Sequence, residues 1–187
     1  MKIGYQGTIG SYTQRAAKQL AENVNIYSAE YVPLISSANV VKALLNGEID
    51  YGVLAVYNSI GGKVQETEDA LSDINYLKVT AIVMPIHQCI FKKNHSIKNE
   101  NINKIYSHIQ ALRQTQLTVK KYFPYAKLKE TEDTAIGAKR LAEGEYDNYS
   151  AVICSKEAGE FYKLALVYEN IEDDDSNQTM FILIEKI

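Results

Sequence analysis

The chain has 187 residues, enough for one large domain or two small lobes that bury about two-thirds of the unfolded surface. Hydrophobic residues make up 46% and charged residues 23%, and the net charge is −3, so the chain has no basic cluster for nucleic acid and no apolar run of membrane-spanning length. No charged-then-apolar leader stands at Met1, and Cys89 and Cys154 sit in strand-like apolar segments, so two free buried thiols in a reducing cytoplasm are expected rather than a disulfide or a metal pair.

Lys2 to Gln6 reads as a strand, followed by a glycine turn through Gly7 and Gly10. A helix is expected from Tyr12 to Glu22, with Ser11 and Gln14 at capping-box spacing. Read alone this is a capped helix; its start also offers the positive end of a dipole, a seat for a carboxylate. Asn25 to Val32 reads as a strand, and Ala38 to Asn46 as a helix stopped by Gly47. Tyr51 to Val56 is a near-continuous apolar strand, of the kind buried on both faces of a parallel sheet, and it runs into the polar turn Tyr57-Asn58-Ser59-Ile60-Gly61-Gly62. A helix from Val64 to Leu71 completes a β-α-β-α-β-α pattern, which defines the class as α/β.

The run from Tyr76 to Lys92 is too long for one strand and divides at Pro85 into two, crossing from one lobe to the other. After a polar loop, Lys104 to His108 is a strand and Ile109 to Tyr122 a helix, with Ser107 and Gln110 repeating the Ser-x-x-Gln capping spacing. Lys127 to Glu132 is a strand. Asp133 caps a helix from Thr134 to Glu143 that stops at Gly144. Ser150 to Ser155 is a strand, Lys156 to Tyr162 a helix and Leu164 to Ile171 a strand. The acidic run Glu172 to Asp175 reads as a solvated loop, and Ser176 to Met180 leads into the terminal strand from Phe181.

Five segments carry a family resemblance. They are Gly4 to Ala17; Gly47 to Thr67, around Tyr57-Asn58-Ser59; Ile105-Tyr-Ser-His-Ile-Gln-Ala-Leu-Arg-Gln; Asp133-Thr-Ala with Ala151-Val-Ile-Cys-Ser; and Asn177-Gln-Thr-Met-Phe. In this order and spacing they resemble the catalytic domain of prephenate dehydratase along nearly the whole chain. The resemblance implies two α/β lobes with a cleft between them, like the type II periplasmic binding proteins. Lobe one would take residues 1–76 plus 168–187, and lobe two 77–167. It implies a reaction without cofactor or metal, in which prephenate loses carbon dioxide and water to give phenylpyruvate in phenylalanine biosynthesis. It also implies a small-molecule substrate (prephenate or arogenate), no nucleic-acid or membrane partner, and a homodimer. Relatives usually carry a C-terminal ACT domain that binds phenylalanine; this chain ends at Ile187, so no phenylalanine inhibition is expected within it.

The resemblance makes Thr179 the catalytic hydroxyl, hydrogen-bonded to the departing hydroxyl of the substrate and polarised by a neighbour, with His108 as the candidate. Asn58, Ser107 and Gln114 match positions that bind substrate, and Ser59, His108, Gln110 and Ser11 join them. Two departures stand out. Met180 replaces the family arginine after the threonine, and Tyr57 replaces the glutamate before Asn-Ser. An arginine contact to a substrate carboxylate is worth roughly 1.5–3 kcal/mol. Its loss is expected to remove roughly one to two decades of activity unless Lys63, Arg15 or Arg113 replaces it. Ile109 stands where relatives have proline, a small change at a first helical position. The competing readings are a divergent, non-aromatising decarboxylase and a non-catalytic small-molecule sensor on the same fold.

Overall fold

Two chain crossings, after Ile86 and after Asp175, divide the protein into unit one (1–86 and 176–187) and unit two (87–175). The computed structural model describes all residues, 1–187. Both crossings fall later than the expected 76/77 and 167/168. The strand that begins at Tyr76 pairs along its whole length with the last strand of the chain, so it stays in unit one. Tyr168 pairs with Ile90 and stays in unit two.

Unit one contains β1 (Lys2–Tyr5), α1 (Tyr12–Asn23), β2 (Glu30–Pro33), α2 (Ser37–Leu45), β3 (Tyr51–Asn58), the short β4 (Gly62–Lys63), α3 (Gln65–Leu71), β5 (Tyr76–Pro85) and the terminal strand, β11 (Gln178–Lys186). The sheet order is β2-β1-β3-β11-β5, with β4 paired to β3. β1 is parallel to β2 and β3, whereas β11 runs antiparallel to both β3 and β5. The apolar β3 is therefore central, but in a mixed sheet. β2 starts later than expected because Asn25 takes a left-handed turn (φ 61°) after α1.

In α1, Thr13, Ala16, Ala17, Leu20 and Ala21 are buried, the i, i+3, i+4, i+7 pattern of a single face. That face packs on Ile3, Tyr5, Val53, Met84, Phe181 and Leu183. The opposite face of the sheet presents Leu54, Ile182 and Ile184 to Val40, Val41 and Leu44 of α2. Thus successive residues of β11 feed two separate cores, as strand alternation requires.

Unit two contains β6 (Cys89–Lys92), β7 (Lys104–Ser107), α4 (Ile109–Gln114), α5 (Gln116–Tyr122), β8 (Lys127–Glu130), α6 (Thr134–Glu143), β9 (Ser150–Cys154), α7 (Lys156–Phe161) and β10 (Ala165–Tyr168). The sheet order is β10-β6-β9-β7-β8. α6 has the expected ends: the Asp133 carboxylate accepts from the amides of Ala135 and Ile136, and Gly144 closes the helix at φ 82°. Gly159 in α7 leaves room for the ring of Phe91, which a Cβ there would meet at 2.2 Å. The helix expected over 109–122 is broken at Thr115, whose φ of −123° is non-helical and whose buried hydroxyl donates to the Ala111 carbonyl.

The acidic run is not simply a solvated loop. The Glu172 side chain is 3% exposed and accepts from His87 Nδ1 (2.5 Å) and the Gln88 amide (2.9 Å). Asp173 accepts from the amides of Leu117 and Thr118, both at 2.8 Å, at the start of α5. These carboxylates tie the last segment of unit two to its first strand and to a helix start. Cys89 and Cys154 are buried, free and directly opposite each other across β6 and β9, as the sequence suggested for both thiols.

Candidate active site

The ends of β3 and the start of β11 meet in a polar knot. Asn58 pairs with Thr179 and Tyr57 with Met180 in antiparallel register. Asn58 Nδ2 donates to Asn177 Oδ1 (2.8 Å) and to Thr179 Oγ1 (2.9 Å), and its Oδ1 accepts from the amides of Ile60 and Gly61. Ser59 Oγ donates to the Ser176 carbonyl and accepts from the Gln178 amide. The Ile86 amide donates to the Asn177 carbonyl, fixing the same loop from β5's end. Thr179 is thus 8% exposed and held by an amide that donates to its oxygen, which leaves the hydroxyl proton for another acceptor.

Within unit one, the polarising neighbour of Thr179 is Asn58. An amide donating to a hydroxyl oxygen makes that hydroxyl a better donor. His108, the expected candidate, lies in unit two as the N-cap of α4, its Nδ1 accepting from the Gln110 amide at 3.3 Å. Asn58 and Ser59 use their polar atoms inside the knot, and therefore position Thr179. Asn177, 1% exposed, belongs to this knot too. It could have been found from its place in the Asn-x-Thr segment, but no side-chain periodicity marks it.

Ser11 caps α1 as expected, its Oγ accepting from the Gln14 amide at 3.3 Å. The reciprocal half of the box is displaced: the Gln14 carbonyl oxygen accepts from the Gly10 amide, not from Ser11. β1 and β3 are parallel, so the start of α1 lies at the same end of the sheet as Asn58, and α1 covers the face that carries Phe181 and Met84.

In unit two, the second capping box is not formed. Ser107 is the last residue of β7, fully buried, and its hydroxyl donates to the Ile153 carbonyl at 2.7 Å. The helix begins one residue later, with His108 as cap, because Ser107 still pairs with Glu130 of β8. Gln110 is exposed and Gln114 half-buried, the latter accepting the Asp173 amide at its carbonyl.

Met180 and Tyr57, the two departures, are cross-strand neighbours. On β11, Thr179 pairs with buried Met84, whereas Met180 pairs with Val83, which is 50% exposed. Position 180 therefore projects from the face opposite Thr179. An arginine there would not sit beside the threonine hydroxyl.

The profile of the family described as prephenate dehydratase matches residues 3–187. Prephenate dehydratase of Lactococcus lactis subsp. cremoris is 32% identical over 187 residues, covering 100% of this chain and 64% of that protein. The prephenate dehydratase of Arthrobacter aurescens, solved in complex with L-Phe, superposes with a TM-score of 0.87 at 25% identity, over 100% of this chain and 60% of that one. A periplasmic substrate-binding protein of a Coxiella burnetii ABC transporter shares the fold alone (TM-score 0.52, 12% identity, covering 100% of this chain and 84% of that one). The chain spans somewhat less than two-thirds of the length of the first two proteins. With its two α/β units, the Asn58–Thr179 knot and this match over nearly its whole length, the chain belongs to the prephenate dehydratase family.

Proposed function

We propose that the protein is a prephenate dehydratase, converting prephenate and one proton to phenylpyruvate, carbon dioxide and water. The observation that carries this reading is the 2.9 Å bond from Asn58 Nδ2 to Thr179 Oγ1, which fixes a hydroxyl whose own proton is available. As the bond between the ring and its carboxylate breaks, its electron pair enters the ring and the carbon–oxygen bond to the hydroxyl opens. Thr179 donates a hydrogen bond to that departing oxygen, which takes up a proton and leaves as water. The gain in aromaticity drives the step, so the enzyme has mainly to orient the substrate and stabilise the leaving group. We assign the N-terminus of α1, with Ser11, to a substrate carboxylate, and His108, Gln110 and Gln114 to further substrate contacts; Ser107, buried with its hydroxyl on the Ile153 carbonyl, holds β7 against β9 instead.

Met180 and Tyr57 favoured a redirected reaction; the place of position 180 on the face opposite Thr179 supports the dehydratase reading instead. Assay with prephenate and with arogenate, which differ in a keto or amino group remote from the ring, tests the reading. Formation of phenylpyruvate or phenylalanine, abolished by Thr179→Val, supports it. Binding without either product, or a decarboxylated product that keeps its hydroxyl, overturns it. The reading includes a cytoplasmic setting, in keeping with two free thiols. It also includes a homodimer, for which the ten-residue β5, a sheet edge with one charged residue, offers a pairing strand.

A further inference from the structure

Gln88 is 5% exposed, and its side-chain oxygen, Oε1, is buried with no hydrogen-bond partner. An amide oxygen taken out of water without a donor destabilises a fold, and such atoms are rare in native proteins. Slack in the chain does not account for it. The Gln88 backbone N–H donates to Glu172 Oε2 at 2.9 Å, and its carbonyl accepts from the Ile171 amide at 3.0 Å, so both of its backbone polar groups are engaged. The open acceptor stands where α/β sheets receive ligands. Cys89 pairs with Cys154, the last residue of β9, in antiparallel register, so Gln88 lies one residue beyond the carboxyl end of β9. β9 and β8 are both parallel to β7, whose carboxyl end leads into α4 at His108. Gln88 thus shares with the start of α4 the carboxyl edge of three parallel strands. It also shares a face with that helix. Cys89 packs with Ala138 and Ala158 on one side of the sheet, and Ile90 with Leu112 of α4 on the other. Strand alternation returns Gln88 to the α4 side. Only β9 separates β6 from β7, a span of about 10 Å that a small ligand can bridge.

On the dehydratase reading, on which this rests, we propose that Gln88 binds the substrate through the keto group of prephenate or the amino group of arogenate, and so governs the preference between them. An open acceptor needs a donor, and the substrates offer few. Carboxylates and a keto group only accept, and the ring hydroxyl is assigned to Thr179. What remains is the ammonium of arogenate, which Oε1 receives directly. Half a turn of the same side-chain amide presents Nε2, a donor, to the keto oxygen of prephenate. One uncharged residue therefore serves both substrates, whereas a fixed charge at this place would select one of them.

Steady-state kinetics with prephenate and with arogenate, on the parent protein and on two variants of similar size, test this. Gln88→Glu keeps an acceptor and loses the donor, so kcat/KM for arogenate relative to prephenate should rise at least about tenfold. Gln88→Leu removes both, and kcat/KM should fall about tenfold for each substrate, mainly through KM. Urea unfolding separates this from a structural role: Gln88→Leu removes an unpaired buried oxygen and should be at least as stable as the parent. An unchanged substrate ratio in Gln88→Glu, or unchanged kcat/KM in Gln88→Leu, would overturn the proposal and leave the dehydratase reading in place. So would a marked loss of stability in Gln88→Leu. A parent protein that turns over neither substrate would sink the dehydratase reading, and the role of Gln88 with it. Should Gln88→Glu melt early, Gln88→Leu decides alone.

Discussion

Tyr57 and Met180 face each other across β3 and β11, on the face of the sheet opposite Thr179. The two departures from the family pattern are thus one structural change. A glutamate–arginine pair at these positions would be a cross-strand ion pair; here the same place holds a tyrosine and a thioether.

The first prediction follows directly. Met180→Arg alone should change kcat/KM for prephenate by less than about threefold, which is under about 0.7 kcal/mol. In a urea-denaturation cycle, Tyr57→Glu with Met180→Arg should show favourable coupling of about 0.5–1 kcal/mol. A tenfold or greater gain in kcat/KM from Met180→Arg alone would show instead that position 180 reaches the substrate.

Asn58→Ala removes the donor to Thr179 and the acceptor for the turn amides of Ile60 and Gly61. We expect kcat to fall by roughly 30-fold, about 2 kcal/mol, with KM changing much less. A rise in KM at constant kcat would make Asn58 a substrate ligand and not a positioning residue.

Glu172→Ala leaves the Gln88 amide and His87 without their acceptor in a place where the carboxylate is 3% exposed. A stability loss of about 1–3 kcal/mol is expected in urea unfolding. Asp175→Ala, in the exposed part of the same run, should stay within about 0.5 kcal/mol of the parent. A loss within about 0.5 kcal/mol in Glu172→Ala as well would return the whole run to the status of a solvated loop.

Burial raises the Cys89 thiol from 9.0 to about 11 and raises Cys154 as well. A raised thiol means that the native state holds protons which the unfolded state releases. The stability from this source is complete below pH about 9 and falls as pH rises from about 9 to about 11. Chemical denaturation across that window should show the decline, and Cys89→Ala with Cys154→Ala should flatten it. Rapid alkylation of the native protein at pH about 8 would contradict the burial of both thiols.

Much of unit one could be read from residues alone. The Ser11 cap, the α1 stripe from Thr13 to Ala21 and the Gly47 stop are local signals, set by spacing and by single-residue backbone preferences. The same holds for Asp133 and Gly144 around α6. Long-range pairing was not legible. No local rule says that β11 threads between β3 and β5, so Tyr57 could not be set against Met180, and the missing arginine looked like a lost substrate contact. Ser107 was misread for a related reason. Its spacing to Gln110 matches a capping box, but pairing with β8 holds it in the strand and passes the cap to His108. Glu172 and Asp173 resemble any acidic loop until the amides that they accept are brought to them.

The most direct measurement is the product formed from prephenate by the purified protein and by its Thr179→Val variant, followed by absorbance and mass. The account predicts phenylpyruvate with the parent protein and a loss of at least about 10²-fold in kcat with Thr179→Val, the variant remaining folded. Full activity in Thr179→Val, or a parent protein that binds prephenate and releases neither phenylpyruvate nor carbon dioxide, would contradict it.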